Sequence, residues 1–211
     1  QKAYFDFKGS PEALYADLRN AQQVEYAAFL ETDELKVLSL SPELFIRKKG
    51  SSLTAKPMKG TIKRGRNTAE DIELSEALYS SEKERAENLM IVDLLRNDLS
   101  KFSKPASVKV QKLYDVEKYR TLFTMTSTIK AEVDTDFSAV DVLMSIFPCG
   151  SVTGAPKIRA QQIIDELEPH QRGIYTGAIG YFTPDGDMCF SVPIRTISID
   201  NEGQGELGIG G

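Results

Sequence analysis

Residues 55–65 read Ala55-Lys56-Pro57-Met58-Lys59-Gly60-Thr61-Ile62-Lys63-Arg64-Gly65 and separate two kinds of sequence. Short apolar runs before them predict a β-hairpin, and an acidic segment that opens near Thr68 predicts helices after them. Pro57 fixes one φ and disfavours helix before it, while Gly60 lets backbone come close to whatever faces Lys59. One lysine is therefore held between two backbone constraints. A hydrated basic loop is the alternative interpretation, since lysine heads are mostly exposed.

Composition predicts a globular protein with a small-molecule partner. The 211 residues are 41% hydrophobic and carry no internal repeat or low-complexity linker, so we expect one domain with a sizeable core. The 26 basic and 31 acidic residues give a net charge of −5, which provides no basic field for nucleic acid. No apolar run approaches the ~18 residues of a membrane span, and the N-terminus lacks a signal-peptide core. We expect a cytoplasmic protein with no nucleic-acid or membrane partner.

The cysteine and histidine content argues against several kinds of chemistry. Cys149 and Cys189 are the only cysteines and lack C-x-x-C spacing, so neither a disulfide scaffold nor a zinc site is indicated. The single histidine, His170, follows Pro169 in a turn-like run. This placement disfavours catalysis by a Ser-His or Cys-His pair.

Periodicity and breaker residues predict short strands interspersed with helices. Ser10-Pro11 is typical of a helix start, and Ser81 with Glu84 resembles a capping box that begins a second helix within the main helical block. The predicted strands are 4–7, 26–30, 35–40, 44–47, 53–54, 108–113, 122–133, 173–183 and 188–200, and the predicted helical segments are 11–22, 69–103, 138–147 and 156–167.

Two carboxylates share one face of the helix that begins near Ser81. Glu84 and Glu87 lie three residues apart, with Asn88 beside them, and oxygen ligands of this kind suit a hard cation such as Mg²⁺. The alternative is a solvated face on which Lys83 and Arg85 form ion pairs with the two glutamates. The residues alone favour this alternative.

The second half of the chain contains features typical of an anion site. A glycine-bearing turn that includes Thr153 and Gly154 precedes a helix, whose N-terminus is expected to present free N–H groups and the positive end of a dipole. Arg195 lies in the last predicted strand, where a ligand anion or a structural carboxylate would pair with a buried guanidinium. Tyr175 would add a phenolic donor, or a buried hydroxyl that the backbone satisfies.

Taken together, five motifs in order resemble the chorismate-utilising enzymes, a family that includes anthranilate synthase, isochorismate synthase, salicylate synthase and aminodeoxychorismate synthase component I. The resemblance covers residues 4–211. Its motifs are Ser41-Pro42-Glu43-Leu44-Phe45, Pro57-Met58-Lys59-Gly60-Thr61, the run from Ala86 to Leu99, the run from Gly150 to Lys157, and the run from Arg172 to Ala178 followed by Arg195.

The resemblance implies an α+β fold with an antiparallel β-sandwich core and outer helices. Residues 1–211 would then form a chorismate-binding catalytic domain, which we expect to be present as a partial domain, incomplete at both ends. The glycine-rich close of the chain, which runs to Gly211, supports that expectation.

The position of Lys59 distinguishes subgroups within the family. Anthranilate and isochorismate synthases resemble each other in having alanine there, whereas aminodeoxychorismate synthases have lysine. The resemblance therefore implies conversion of chorismate and ammonia to 4-amino-4-deoxychorismate, on the path to p-aminobenzoate and folate, through a lysine adduct. A separate glutamine amidotransferase subunit would supply the ammonia.

The resemblance also assigns roles to particular residues. Lys59 would be the nucleophile, Glu43 the acid that protonates the departing C4 hydroxyl, and Glu87 with Glu84 the ligands of Mg²⁺. The substrate-binding residues would be Gly60, Thr61, Thr153, Gly154, Tyr175, Arg195 and Gly210.

Some positions depart from the family pattern, and other functions stay open. Asn88 stands where the family usually has histidine, and Thr124 where it often has histidine or glutamine. The alternative functions are anthranilate synthase component I, which Lys59 disfavours, and a non-catalytic homologue that binds chorismate without turnover.

Overall fold

The computed structural model describes residues 1–134 and 136–210, which form strands interspersed with helices. The strands are β1 (Lys2–Asp6), β2 (Tyr26–Glu31), β3 (Leu35–Ser41), β4 (Leu44–Lys49), β5 (Ser52–Lys56), β6 (Met58–Lys63), β7 (Lys109–Lys118), β8 (Leu122–Glu132), β9 (Ile179–Phe182), β10 (Met188–Ser191), β11 (Thr196–Asp200) and β12 (Gln204–Gly208). The helices are α1 (Pro11–Ala21), α2 (Thr68–Ser80), α3 (Glu82–Ser100), α4 (Ala139–Ile146) and α5 (Lys157–Leu167), with a 3-10 turn at Gly150–Val152.

The strands form two antiparallel sheets. The five-stranded sheet has the order β1-β12-β11-β3-β2. The seven-stranded sheet has the order β6-β8-β5-β4-β10-β9, and β7 pairs with β8 as well. Helix α1 packs on β2 and β3, whereas α2 and α3 pack on β6, β7 and β8. The predicted α+β class with antiparallel sheets and outer helices is therefore confirmed.

The chain crosses between the sheets at two neighbouring points. Pro42 and Glu43 connect β3 to β4, and residues 192–195 connect β10 to β11. The two crossovers are hydrogen-bonded to each other, because the Val192 N–H donates to the Glu43 carbonyl at 3.2 Å and the Ser41 hydroxyl donates to the Val192 carbonyl at 2.5 Å. Glu43 and Arg195 are thus placed at the junction of the sheets.

The main core lies between the seven-stranded sheet and the helices α3 and α4. Helix α3 buries side chains at helical spacing, and they meet strand residues that are fully enclosed. This core includes Phe45, Ile46, Leu53, Ile91, Leu95, Leu99, Ile129, Val142 and Ile146. A smaller cluster of Leu78, Phe123 and Met125 lies under α2.

Side-chain caps fix the predicted helix starts. Ser10, Asn67, Ser81 and Ser138 each accept a hydrogen bond from a backbone N–H of the first turn. The predicted break at Ser81 is confirmed, with the Glu84 N–H as its donor at 3.4 Å. Helix α5 begins at Lys157, one residue later than predicted, so Pro156 is its N-cap and not its first helical residue.

The prediction of one strand over 188–200 is wrong. Regular pairing ends at Ser191 in one sheet and resumes at Thr196 in the other, and Arg195 has a φ of +52°. Residues 173–178 form turns, so the strand predicted to begin at 173 begins at Ile179. Because the backbone changes sheet, the predicted alternation of Arg195 with Cys189 does not apply.

Two further segments are strands that the sequence did not predict. Met58–Lys63, interpreted as a loop, is β6, and the glycine-rich Gln204–Gly208 is β12 between β1 and β11. Gly211 lies outside the described residues. Within the described ranges no single helix is long and apolar enough to cross a membrane; residues 139–152 and 157–167 reach that length and composition only as a pair bent by 63°.

Candidate active site

A cavity of about 1460 Å³ opens where both sheets meet the N-terminal end of α3. It collects nearly all of the residues that the sequence singled out, although they are scattered along the chain. The predicted residues that line it are Glu43, Lys59, Gly60, Thr61, Glu84, Glu87, Thr153, Tyr175, Arg195 and Gly210. Gly154 is not part of the lining.

Lys59 and Gly60 form a bulge in β6. The pairing with β8 shifts register between Met58 and Thr61, so Lys59 and Gly60 leave the regular ladder. Gly60 has a φ of +85°, and a Cβ there would lie 2.8 Å from Glu84 Oε2. Glycine is therefore required both by the backbone conformation and by the approach of a carboxylate.

Glu43 is a buried carboxyl group with an unsatisfied oxygen. Its side chain is enclosed, the residue being 3% exposed, and Oε1 has no hydrogen-bond partner among the described residues. Burial raises the pKa of Glu43 to about 7, although Ser151, the Met58 N–H and the charge of Lys59 oppose the rise. A carboxyl group with such a pKa can both donate and accept a proton near neutral pH.

The 3-10 turn supplies a residue that sequence analysis missed. Ser151 is buried, lines the cavity and lies near Glu43, and its Oγ is 3.2 Å from Cys149 Sγ. Burial, with the charge of Glu43, raises the pKa of Cys149 to about 12, so that thiol is not an activated nucleophile. Only the position of Ser151 within a glycine-bearing motif signalled it in the sequence.

Glu84 and Glu87 face the cavity from the first turns of α3. Lys83 Nζ lies 3.7 Å from Glu84 Oε1 and 3.6 Å from Glu87 Oε1, so the Lys83 ion pair considered as an alternative is present. Arg85 does not join it; its guanidinium lies over the Tyr114 ring at 4.6 Å.

The two carboxylates suit a Mg²⁺ site that water and substrate oxygens complete, rather than a site made of protein ligands alone. No group of three or more His, Cys, Asp or Glu residues in the described ranges could enclose a metal. Mg²⁺, however, commonly takes one or two protein carboxylates and completes its octahedron with water and substrate oxygens. The Lys83 head is highly exposed and can leave the carboxylates, so the donor set suits Mg²⁺.

Arg195 and Tyr175 form the side of the cavity that suits an anion. No hydrogen bond or ion pair of the Arg195 guanidinium occurs within the described ranges, whereas neighbouring Arg172 is paired with Glu168 at 2.6 Å. The Tyr175 ring lies against the backbone of β12 and the residues after it; a Cβ on Gly210 would be 2.5 Å from its Oη. Burial raises the pKa of Tyr175, which therefore stays a neutral hydrogen-bond donor.

The turn at Thr153 and Gly154 differs from the expectation of free N–H donors. Both N–H groups donate to the Gly150 carbonyl, at 3.3 and 3.1 Å, and the Thr153 hydroxyl donates to the Cys149 carbonyl at 3.0 Å. The turn is closed on itself because its donors satisfy its own carbonyl groups. The substrate-binding roles assigned to Thr153 and Gly154 stay predictions.

The sequence of this chain is similar to proteins that use chorismate. The family described as "chorismate binding enzyme" matches residues 1–211. Aminodeoxychorismate synthase component 1 of Bacillus subtilis is 43% identical over 187 residues, which is 89% of this chain and 40% of the relative. Anthranilate synthase component 1 of Aquifex aeolicus is 44% identical over 190 residues, covering 90% of this chain and 38% of the relative.

The fold is also similar to a solved structure. The crystal structure of anthranilate synthase component I from Streptococcus pneumoniae superposes with a TM-score of 0.89 at 36% identity. The match covers 98% of this chain and 45% of that structure. The chain therefore spans less than half the length of the relatives named here.

Proposed function

The chain belongs to the family of chorismate-binding enzymes, and from that premise we propose that it carries the reaction centre of an aminodeoxychorismate synthase. The substrates are chorismate and ammonia, and the products are 4-amino-4-deoxychorismate and water. The observation that carries the proposal is the placement of Lys59, which faces the cavity from a bulge that also lies close to Glu43.

Lys59 acts as the nucleophile in this proposal. No salt bridge or hydrogen bond of its amine occurs among the described residues, so the nitrogen can be directed at a ligand in the cavity. Attack at C2 of chorismate forms the N–C2 bond, shifts the two ring double bonds and breaks the bond from C4 to its hydroxyl group. Glu43 supplies the proton with which that hydroxyl leaves as water.

Ammonia completes the exchange. Its nitrogen bonds to C4, the double bonds shift back, and the C2–N bond to Lys59 breaks, which releases the amine. The sum is replacement of the C4 hydroxyl by an amino group, with one water formed. The partly deprotonated carboxyl of Glu43 can accept the proton that the nucleophile loses, since its pKa of about 7 allows both states.

Charged groups around the cavity would bind the two carboxylates of chorismate. Arg195 offers a fork of donors that matches a carboxylate and that no described residue occupies, and Tyr175 adds a neutral hydroxyl. Glu84 and Glu87 would hold Mg²⁺, which supplies positive charge for a substrate carboxylate when it is bound. Gly60 and Thr61 would line the floor beside Lys59, and Gly210 the wall beside Tyr175.

Anthranilate synthesis is the second candidate. It is supported by the 44% identity to the Aquifex aeolicus protein and by the TM-score of 0.89 to the Streptococcus pneumoniae structure. In that reaction ammonia itself would attack C2, and no lysine would be needed. A side chain at position 59 thus decides which ring carbon receives nitrogen.

The source of ammonia and the place in metabolism follow from the same proposal. A glutamine amidotransferase subunit would generate ammonia, because free ammonia is mostly protonated at neutral pH and is then not a nucleophile. The product would be the precursor of p-aminobenzoate and folate. The cytoplasmic location stays a prediction.

The test compares the native full chain with Lys59→Ala in the presence of chorismate, Mg²⁺ and ammonium, with products separated by liquid chromatography and mass spectrometry. We expect 4-amino-4-deoxychorismate from the native protein, and anthranilate or no product from Lys59→Ala. Lys63→Ala, an exposed lysine on the same strand, is the matched control and should keep the native product.

Three results would redirect the proposal. Retention of the native product at the native rate by Lys59→Ala would exclude the lysine adduct. Anthranilate from the native protein would favour the second candidate. Chorismate binding without turnover in the native protein would indicate a non-catalytic homologue.

A further inference from the structure

The bulge that carries Lys59 is held by a buried threonine on the neighbouring strand. Thr124 of β8 is 2% exposed, and its Oγ1 donates a hydrogen bond to the Gly60 carbonyl at 3.1 Å. Thr124 also pairs with Thr61, the residue at which the regular register resumes. Its hydroxyl therefore adds a bond to the part of β6 that has left the ladder.

The Cα of Gly60 is approached by the side chain of Glu84. The space that a Gly60 Cβ would occupy is filled by the Glu84 side chain, whose Oε2 would be 2.8 Å away. Gly60 is thus fixed between the Thr124 hydroxyl, which holds its carbonyl, and Glu84, which limits its Cα. A glycine held at its carbonyl and limited at its Cα restricts the backbone next to Lys59, and with it the direction in which that side chain leaves the strand.

We propose that Thr124 is a positioning residue for Lys59: its hydroxyl holds the Gly60 carbonyl and so aims the lysine amine into the cavity. The inference rests on the proposed function for its catalytic meaning, but the geometry it describes is independent of turnover. Thr124 needs no contact with substrate for this role.

The decisive variants differ only in the hydroxyl group. Thr124→Val keeps the branched shape and removes the donor, whereas Thr124→Ser keeps the donor. Thr126→Val is the matched control, because Thr126 is on the same strand and 1% exposed, but its Oγ1 bonds Glu117 and Asp115 of β7, away from the bulge. A merely structural effect would appear in both valine variants.

The first readout does not depend on catalysis. The full chain is acetylated briefly with an amine-reactive ester, and the modification of Lys59 is quantified by peptide mass spectrometry against exposed Lys109 in the same molecule. We expect Thr124→Val to change the relative rate at Lys59 by about three- to tenfold, the range set by one hydrogen bond. Thr124→Ser and Thr126→Val should match the native protein.

The second readout is turnover of chorismate and ammonium. We expect Thr124→Val to lower kcat by about tenfold to a hundredfold with little change in KM, because the lysine is misaligned while the groups that bind the carboxylates are intact. Thr124→Ser should restore kcat.

The two readouts separate failure of this inference from failure of the proposed function. If Lys59 labelling in Thr124→Val equals that of the native protein, or changes equally in Thr126→Val, the positioning role is overturned whatever the turnover. If labelling changes as expected but the native protein makes no aminodeoxychorismate, the positioning of Lys59 is supported and the proposed reaction is not.

Discussion

Replacing Glu43 by glutamine should change how the stability of the protein depends on pH. The carboxyl group is enclosed, one of its oxygens has no partner among the described residues, and burial raises its pKa from the ordinary value of 4.5 to about 7. Glutamine has nearly the same shape and no charge at any pH. The Glu43→Gln variant therefore removes the titration and leaves the packing nearly unchanged.

The magnitude follows from the difference in pKa between the folded and unfolded chain. The folded state binds the Glu43 proton more tightly, so the stabilising contribution is fully present below pH 4.5 and is lost as the pH rises through about 7. The difference between a pKa of 4.5 in the unfolded chain and about 7 in the folded protein corresponds to about 3 kcal/mol, most of it lost between pH 5 and 8.5. Above pH 8 the native protein must bury the charged form of Glu43 and has lost this stabilising contribution, whereas Glu43→Gln has no charge to bury.

Urea unfolding at pH 5, 7 and 8.5 measures this effect. We expect the free energy of unfolding of Glu43→Gln, relative to the native protein, to rise by about 2–3 kcal/mol between pH 5 and 8.5. Glu73→Gln removes one charge from an exposed position of α2 and corrects for the change in net charge. Parallel stability curves for the native protein and Glu43→Gln would refute the claim that the folded structure raises the pKa of Glu43.

Two further predictions concern the bulge at Gly60 and the buried ion pair of Asp98. Gly60→Ala places a Cβ against Glu84 at a φ of +85°, so we expect a loss of about 1–3 kcal/mol in urea unfolding; native stability would show that the bulge can relax. Lys157→Met leaves the buried Asp98 carboxylate without its enclosed partner and should lower the free energy of unfolding by about 3–5 kcal/mol. Lys101→Met, the control, removes an exposed partner of the same carboxylate and should lower it by less than about 1 kcal/mol. Equal losses in the two lysine variants would contradict the assignment of Lys157 as the enclosed partner.

Local structure was predictable because its signals are local. The start of α3 follows from Ser81 and its first-turn donor, and its buried face follows from the spacing of Ile91, Leu95 and Leu99. These features depend on residues a few positions apart. The predicted helix bounds are accordingly close to those of the structure.

The failures occur where distant contacts override local preference. Val192 and Ile194 continue the apolar alternation, and that pattern predicted one strand although Pro193 lies between them and disfavours regular pairing. The positive φ of Arg195 and the change of sheet depend on distant contacts. β12 was missed because its glycines lower strand propensity. They are needed for packing: a Cβ on Gly205 would overlap the Phe5 ring, and one on Gly208 the Tyr175 ring.

The residues proposed to act on the substrate were predictable from the sequence, but the residues that hold them in place were not. Lys59 and Glu43 were singled out through motifs, and the structure brings both to one cavity. Ser151 stood within a quoted motif, and Thr124 was noted only as a departure from the family pattern. Neither the approach of Ser151 to Glu43 nor the bond from Thr124 to the Gly60 carbonyl follows from a spacing rule in the sequence. Residues that hold a site in place in this way can be identified only from the three-dimensional structure.

The two sheet crossovers explain why an acid, Glu43, and a cation, Arg195, lie at one place. A chain that leaves one sheet for another has backbone groups outside the ladders, and these must find partners. Here Val192 donates to the Glu43 carbonyl, which joins the two crossovers, and the Leu40 N–H of β3 donates to the Arg195 carbonyl at 3.1 Å. Because the same bonds satisfy both crossovers, the carboxyl group of Glu43 and the guanidinium of Arg195 extend from backbone that is mutually fixed. A buried acid, and a cation that has no partner among residues 1–134 and 136–210, are costly to the fold, and this shared backbone keeps both in position for a ligand.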